Sequence, residues 1–180
     1  MTSTTVSTTW NIDPAHSAAE FKVRHMMISY VKGEFSGLSG AVKLDETDYT
    51  QSTVEVSIPA ASVRTGDDKR DAHLKTADFF DIEKFSTLTF KSTNIRSTGG
   101  RDYAVTGDLT IRGVTKSVTF TVDNVSEPSN DPWGHQRIGL SASTKVNRKD
   151  FGLMWNTALE SGGMLLGDEV TITLDVQIVK

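Results

Sequence analysis

The sequence has no cysteine. That excludes a disulfide framework, a zinc ribbon, an iron–sulfur site and a thiol nucleophile. Proline is scarce, at four residues, so a collagen-like or Pro-rich chain is excluded as well. No apolar run approaches the roughly 20 residues that cross a bilayer as a helix. Positive charge is not in excess, because 19 Lys and Arg stand against 23 Asp and Glu, a net −4. Nucleic-acid binding calls for a basic patch or stripe, so no nucleic-acid partner is expected, and no stable membrane insertion either. The opening MTSTTVSTT has no basic start, apolar stretch or small-residue cleavage site. It does not read as a secretory signal, and a cytoplasmic location is expected. Residues 1–9 read as a disordered polar tail, and residues 10–180 as one domain.

What the sequence does have is alternation. Val54, Val56 and Ile58 oppose Thr53, Glu55 and Ser57. Tyr103, Val105, Leu109 and Ile111 repeat the pattern, as do Val118, Phe120 and Val122. Ile138, Leu140, Ala142 and Val146 continue it, and Val170, Ile172, Leu174, Val176 and Ile178 close the chain. Near the start, Ala19, Phe21, Val23 and His25 share one face. Period-two patterning rich in β-branched residues predicts half-buried strands, about eight to nine in all. Thr119 and Thr121 are expected to face outward. The run from Gly33 to Leu44 reads as one strand, bent at Gly37 where the apolar parity shifts. Another strand is expected around Thr87–Ile95. Turn signals lie at 97–100, 112–113 and 127–134.

Residues 66–84 read as a short helical insertion, capped by Asp67 and Asp68, with Leu74, Ala77 and Phe80 as its apolar stripe. Residues 156–163 read as a weak helix or loop. The whole is mainly β, and short antiparallel strands in sequence favour an up-and-down barrel or a sandwich. A barrel of about eight strands can hold one small ligand or be filled by its own side chains.

Catalytic and metal signatures are thin. No two of His16, His25, His73 and His135 stand at ligand spacing, and Asp13 and Asp71 are expected to partner His16 and His73. There is no GxSxG elbow and no phosphate loop, so no catalytic residue, metal or cofactor is expected. Two charged clusters stand out, 70–74 and 147–152, each beside aromatics: Phe79 and Phe80 after the first, Phe151 and Trp155 around the second. They read either as salt-bridged corners or as a polar collar at a cavity mouth. Met26, Met27, Met154 and Met164 offer a soft lining or ordinary core.

Several stretches, in this order, resemble the YceI-like family. They are Trp10–Ser17 (WNIDPAHS), Phe21–His25 (FKVRH), Gly33–Gly40 (GEFSGLSG), Arg70–Leu74 (RDAHL) and Asp78–Phe80 (DFF). They continue with Gly107–Lys116 (GDLTIRGVTK), Asn147–Gly152 (NRKDFG) and Gly167–Val170 (GDEV). The resemblance covers nearly all of the chain after Thr9. It implies an eight-stranded antiparallel lipocalin-like barrel with a helical insertion, often dimeric. It also implies an apolar tunnel for a polyisoprenoid, an isoprenoid quinone or a fatty-acid derivative.

Parity turns Phe21, Val23, His25, Phe35, Val56, Ile58, Phe90, Leu109, Phe120, Leu140 and Ile172 inward, and with the resemblance they become the tunnel residues. Arg70, His73 and Arg148 become the headgroup residues, with Phe79, Phe80, Met154 and Trp155 at the mouth. A non-enzymatic carrier of an apolar amphiphile is the expected function, with a homodimer as an expected assembly. Two alternatives stand beside it: an enzyme using a His–carboxylate pair, and a packed barrel serving as an interaction module.

Overall fold

A computed structural model describes residues 6–180. The strands are β1 (Ser7–Ile12), β2 (Ala18–His25), β3 (Ser29–Phe35), β4 (Ser39–Asp45), β5 (Thr53–Pro59), β6 (Thr87–Gly99), β7 (Asp102–Ile111), β8 (Val114–Asp123), β9 (Ser129–Asn130), β10 (Gln136–Asn147) and β11 (Leu166–Val179). One helix, α1 (Asp68–Leu74), lies between β5 and β6. All strand pairings are antiparallel. A closed ring of eight runs β11–β1–β4–β5–β6–β7–β8–β10 and back to β11. Closure removes the exposed edges that an open sheet would carry.

Residues in direct register share a face, and here the facing residues are the apolar ones. Val42 opposes Val54, Val56 opposes Phe90, and Phe90 opposes Leu109. Val105 opposes Phe120, and Ala142 stands between Val122 and Leu174. A one-residue slip anywhere would turn that strand's apolar set to water.

β11, 14 residues long, serves two neighbours on one side. Its end pairs with β1 (Ile12↔Ile178), and its earlier part pairs with β2 (Phe21↔Ile172). The β2–β3 hairpin therefore stands as a flap above β1 and β4. Among the described residues the free edge of β3 bridges back to the chain at Glu34↔Arg64, just before α1. The two ends of the barrel differ accordingly. At one end Trp10, Ile12, Ile138 and Ile178 are buried and packed. At the other the hairpin, α1 and the 148–155 segment frame an opening.

Three expectations need correction. Ser7–Thr9 are paired with Asp45–Lys43, so the polar tail ends before them; Met1–Thr5 lie outside the described residues. The run from Gly33 to Leu44 is two strands, β3 and β4, which have different partners. Gly37, at φ +71, turns the chain between them, a conformation that costs glycine little. The insertion at 66–84 is helical only over Asp68–Leu74, and the remainder is a series of turns. Asp81 takes a left-handed φ of +50, and the Phe80 and Asp81 amides donate back to Leu74 and Thr76 carbonyls. The spacing of Leu74, Ala77 and Phe80 imitates a helical stripe, but a folded-back loop half-buries Leu74 and Phe80 against the core and leaves Ala77 exposed. Residues 156–163 form a loop closed by the Ala158↔Met164 bridge.

Candidate functional site

The barrel holds a cavity of about 630 Å³. Sites for small organic ligands run from about 300 to 1,000 Å³ and are mostly apolar with a few polar groups. Phe21, Val23, His25, Phe35, Val56, Ile58, Phe90, Leu109, Phe120, Leu140 and Ile172 all line it. Small wall residues keep the space open. Phe21 lies against Gly33 on the neighbouring strand, so close that a Cβ on Gly33 would meet the ring at 2.3 Å. Gly107 relates to Phe90 in the same way, at 2.5 Å. Ala19 and Ala142 also face the space. Aromatic pairs brace the wall: Phe21–Phe35 at 5.6 Å, Phe35–Phe80 at 5.4 Å and Phe90–Phe120 at 5.2 Å between ring centres.

The polar lining gathers at one end. Arg70 and His73 of α1 line the cavity, as do Asp67 and Lys69, which are exposed; the space meets solvent here. The Asp67 side chain accepts from the Arg70 amide at 2.9 Å, and that bond to the helix start holds its carboxyl below the usual range. The Arg70 guanidinium donates to the Thr65 hydroxyl and carbonyl at 2.7 and 2.8 Å. His73 forms an edge-on stack with Trp155 at 4.9 Å and with Phe79 at 5.0 Å. Its Nε2 lies 2.8 Å from Asp78, not from the expected Asp71. Asp71 is occupied elsewhere, accepting from the amide and hydroxyl of Thr65 at 2.8 and 2.6 Å.

Arg148 is the most unusual group here. Its side chain is only 6% exposed and lines the cavity. Nε donates to the Gly167 carbonyl at 2.8 Å, and Nη1 donates to the carbonyls of Leu153 and Trp155 at 2.6 and 2.9 Å. Nη2 is buried and has no hydrogen-bond partner among the described residues. Asp168 stands 3.9 Å from it, too far for a hydrogen bond. Burial pulls the Arg148 pKa down and Asp168 opposes it, but a guanidinium remains charged. Buried donors are rarely left unmatched, so this one marks a place where an acceptor belongs.

Met154 is the mouth residue that does not line the cavity. It is 59% exposed, between Leu153 and Trp155, which do line it. Met26, Met27 and Met164 are likewise exposed rather than part of the lining. Sequence reading missed Leu153 and Leu165, which line the cavity from irregular chain where no alternation marks them, and Leu166 at the very start of β11. It also missed Arg112, taken only as a turn residue. Arg112 Nη1 donates to the carbonyls of Ala77 and Phe79 at 2.6 and 2.7 Å and so pins the loop that carries Phe79 and Phe80. Its own φ of +51 and the +70 of Gly113 make the tight turn that aims it.

The YceI-like domain family matches this chain over residues 10–178. The chain belongs to that family. Among its curated relatives is a UPF0312 protein of Staphylococcus aureus, 37% identical over 163 residues, which are 91% of this chain and 92% of the relative. The structure of BcnA from Burkholderia cenocepacia is similar at a TM-score of 0.79 and 26% identity, covering 92% of this chain and 98% of the other. The Campylobacter jejuni YCEI protein gives a TM-score of 0.73 at 28% identity, covering 88% and 90%. A polyisoprenoid binding domain from Saccharophagus degradans shares the fold alone, at a TM-score of 0.67 and 16% identity, covering 94% of this chain and 97% of that one.

Proposed function

We propose that the protein binds and carries an apolar amphiphile, an isoprenoid or acyl chain with a polar head. The tail lies in the barrel cavity, and the head rests at the mouth among Arg70, His73 and Arg148. The observation that carries this reading is the pairing of a large apolar cavity with a buried, unmatched guanidinium N–H group at its polar end. Removing apolar surface from water is worth about 25 cal/mol per Å², so the tail supplies affinity. The few polar groups supply orientation and selection. A solved relative in fold is described as a polyisoprenoid binding domain, which agrees in ligand class.

Of the His–carboxylate pairs among the described residues, His73–Asp78 is the one whose histidine lines the cavity and so the arrangement that would serve an enzyme there. Both side chains are well exposed, at 38% and 52%, and among the described residues no group of three metal-ligating side chains converges. A carrier returns its ligand unchanged, which separates the two readings.

The test is titration with a fluorescent fatty-acid probe, comparing the wild type with Ala142→Leu. The added methyl groups enter the cavity from a wall position 9% exposed. The proposal expects at least tenfold weaker probe binding in a variant that unfolds no more easily than wild type. Unchanged probe binding in the folded variant would place the ligand elsewhere.

A further inference from the structure

The β2–β3 tip is built at a cost that the barrel does not require. Met26 and Met27 both occupy the left-handed region, at φ +53 and +61, where non-glycine residues are strained. The turn they make presents apolar side chains to solvent: Met26, Met27 and Ile28 are 42%, 61% and 78% exposed. The facing loop does the same with Met154 and Met164. The two segments are joined, since the Met26 amide donates to the Leu165 carbonyl at 2.7 Å. Three of these apolar residues stand next to a residue of the cavity lining: Met26 beside His25, Met154 beside Trp155, Met164 beside Leu165. The exposed rim is thus continuous with the mouth.

The outer face of the hairpin is basic just behind this tip. Arg24 faces Tyr30 across the ladder, and Lys22 faces Lys32. Two like charges in direct register are destabilising, and none of the three cations has a carboxylate partner among the described ion pairs. Lys22 and Arg24 instead lie over the Tyr30 ring, at 4.9 and 4.6 Å from its centre. Acids come only one rung further back, where Glu20 faces Glu34 and Glu34 pairs with Arg64 at 2.8 Å. Nearby Asp168 and Glu169 are held by Lys149 and Lys145. Glu160 is the single acid of the 153–165 segment. An apolar tip, an amphipathic aromatic and a cationic collar in that order match the depth profile of a bilayer with anionic headgroups.

We propose that the β2–β3 tip and the facing 154–165 loop form a docking rim for an anionic lipid bilayer, set so that the mouth opens against the membrane. This goes beyond the carrier reading, and it can fail while that reading stands, because Met27, Ile28, Lys22 and Lys32 are not part of the cavity wall. The apolar tip enters the interface, and Lys22, Arg24 and Lys32 meet the lipid phosphates. An amphiphile can then pass between bilayer and cavity without crossing water.

The experiment is co-sedimentation of the purified full chain with vesicles of phosphatidylcholine alone and of phosphatidylcholine mixed with phosphatidylglycerol, at low and high salt. Wild type is expected to bind the mixed vesicles at low salt and to be released as salt screens the cations. Met27→Asn with Ile28→Ser should weaken partitioning at least tenfold, since asparagine tolerates the left-handed turn. Lys22→Gln with Lys32→Gln should weaken it about fivefold per lysine. Both variants should bind the fluorescent fatty-acid probe as wild type does. Wild type that stays in solution with mixed vesicles would overturn the proposal, as would variants that partition unchanged. A lipid-free dimer that the Met27→Asn, Ile28→Ser variant dissociates would overturn it too, by making the rim an interface between copies.

Discussion

Two arginines at opposite ends of β10 are held in opposite ways. Arg137, at the packed end, lies between two carboxylates, 2.6 Å from Asp13 and 2.8 Å from Asp131. Asp131 also accepts from the amides of Trp133 and His135, so both partners of the arginine are themselves anchored. Arg148, at the mouth, is more deeply buried, yet it is bonded only to main-chain carbonyls and keeps one nitrogen unmatched. The first arginine is spent on closing the barrel. The second is positioned rigidly and still has donors to give. Whether a buried cation is structural or available to a ligand is decided by which of its N–H groups are left over.

Core substitution gives the largest contrast between the ends. Trp10 is 1% exposed and belongs to the core cluster, so Trp10→Ala should cost about 3–5 kcal/mol. Phe21→Leu, in a wall that already borders empty space, should cost about 1 kcal/mol. Urea unfolding checks both, with an unchanged m-value showing that the same surface is exposed.

Acid should weaken the packed end. The Arg137 guanidinium, then His16, hold the Asp13 carboxyl down at about 2, from an ordinary 3.8. At Asp131 burial pushes upward, but Arg137 and the amides of His135 and Trp133 outweigh it, and it too falls to about 2. Depressed carboxylates stabilise the fold fully above their unfolded value and lose that contribution as pH falls through the folded one. Thermal midpoints should therefore drop between about pH 4 and pH 2, and Arg137→Met should flatten that slope. A variant whose acid slope matches wild type would show that Arg137 is not the anchor.

Filling the cavity should act in the opposite sense. Ala142→Leu should raise stability by about 0.5–2 kcal/mol while it weakens ligand binding, as cavity-filling changes do where the space is kept for function. A loss of stability would mean that the wall cannot accept the added volume. The smallest effect is expected at Arg112→Asn, which tolerates the left-handed turn but releases the carbonyls of Ala77 and Phe79. Amide exchange over residues 75–82 should speed up by an amount worth about 1 kcal/mol, with the barrel strands unchanged.

What the sequence made legible follows from period two. The eleven strand residues named for the tunnel all line the cavity, because along a strand the side-chain direction is dictated by count alone, although Tyr103, Val118 and Ile138 of the same alternating runs do not. Where the chain leaves the strands, that rule stops. Met26, Met154 and Met164 read as lining or core because methionine so often is, yet they are exposed and stand outside the strands, where composition does not encode side-chain direction. The loop after α1 repeats apolar residues at helical spacing, but its shape depends on Arg112, more than 30 residues away. The unmatched nitrogen of Arg148 is invisible in sequence for the same reason, since it is defined by three carbonyls that folding brings together. Those carbonyls belong to Leu153, Trp155 and Gly167, none of which differs in type from an ordinary loop residue.

The central claim is that the cavity is a cargo site. It is tested most directly by organic-solvent extraction of the never-denatured protein, followed by mass spectrometry against a matched control protein. The account predicts an intact prenyl or acyl amphiphile at near one per chain in wild type and a clear deficit in Ala142→Leu. An empty extract from wild type that also fails to take up added isoprenoid or fatty acid would contradict it.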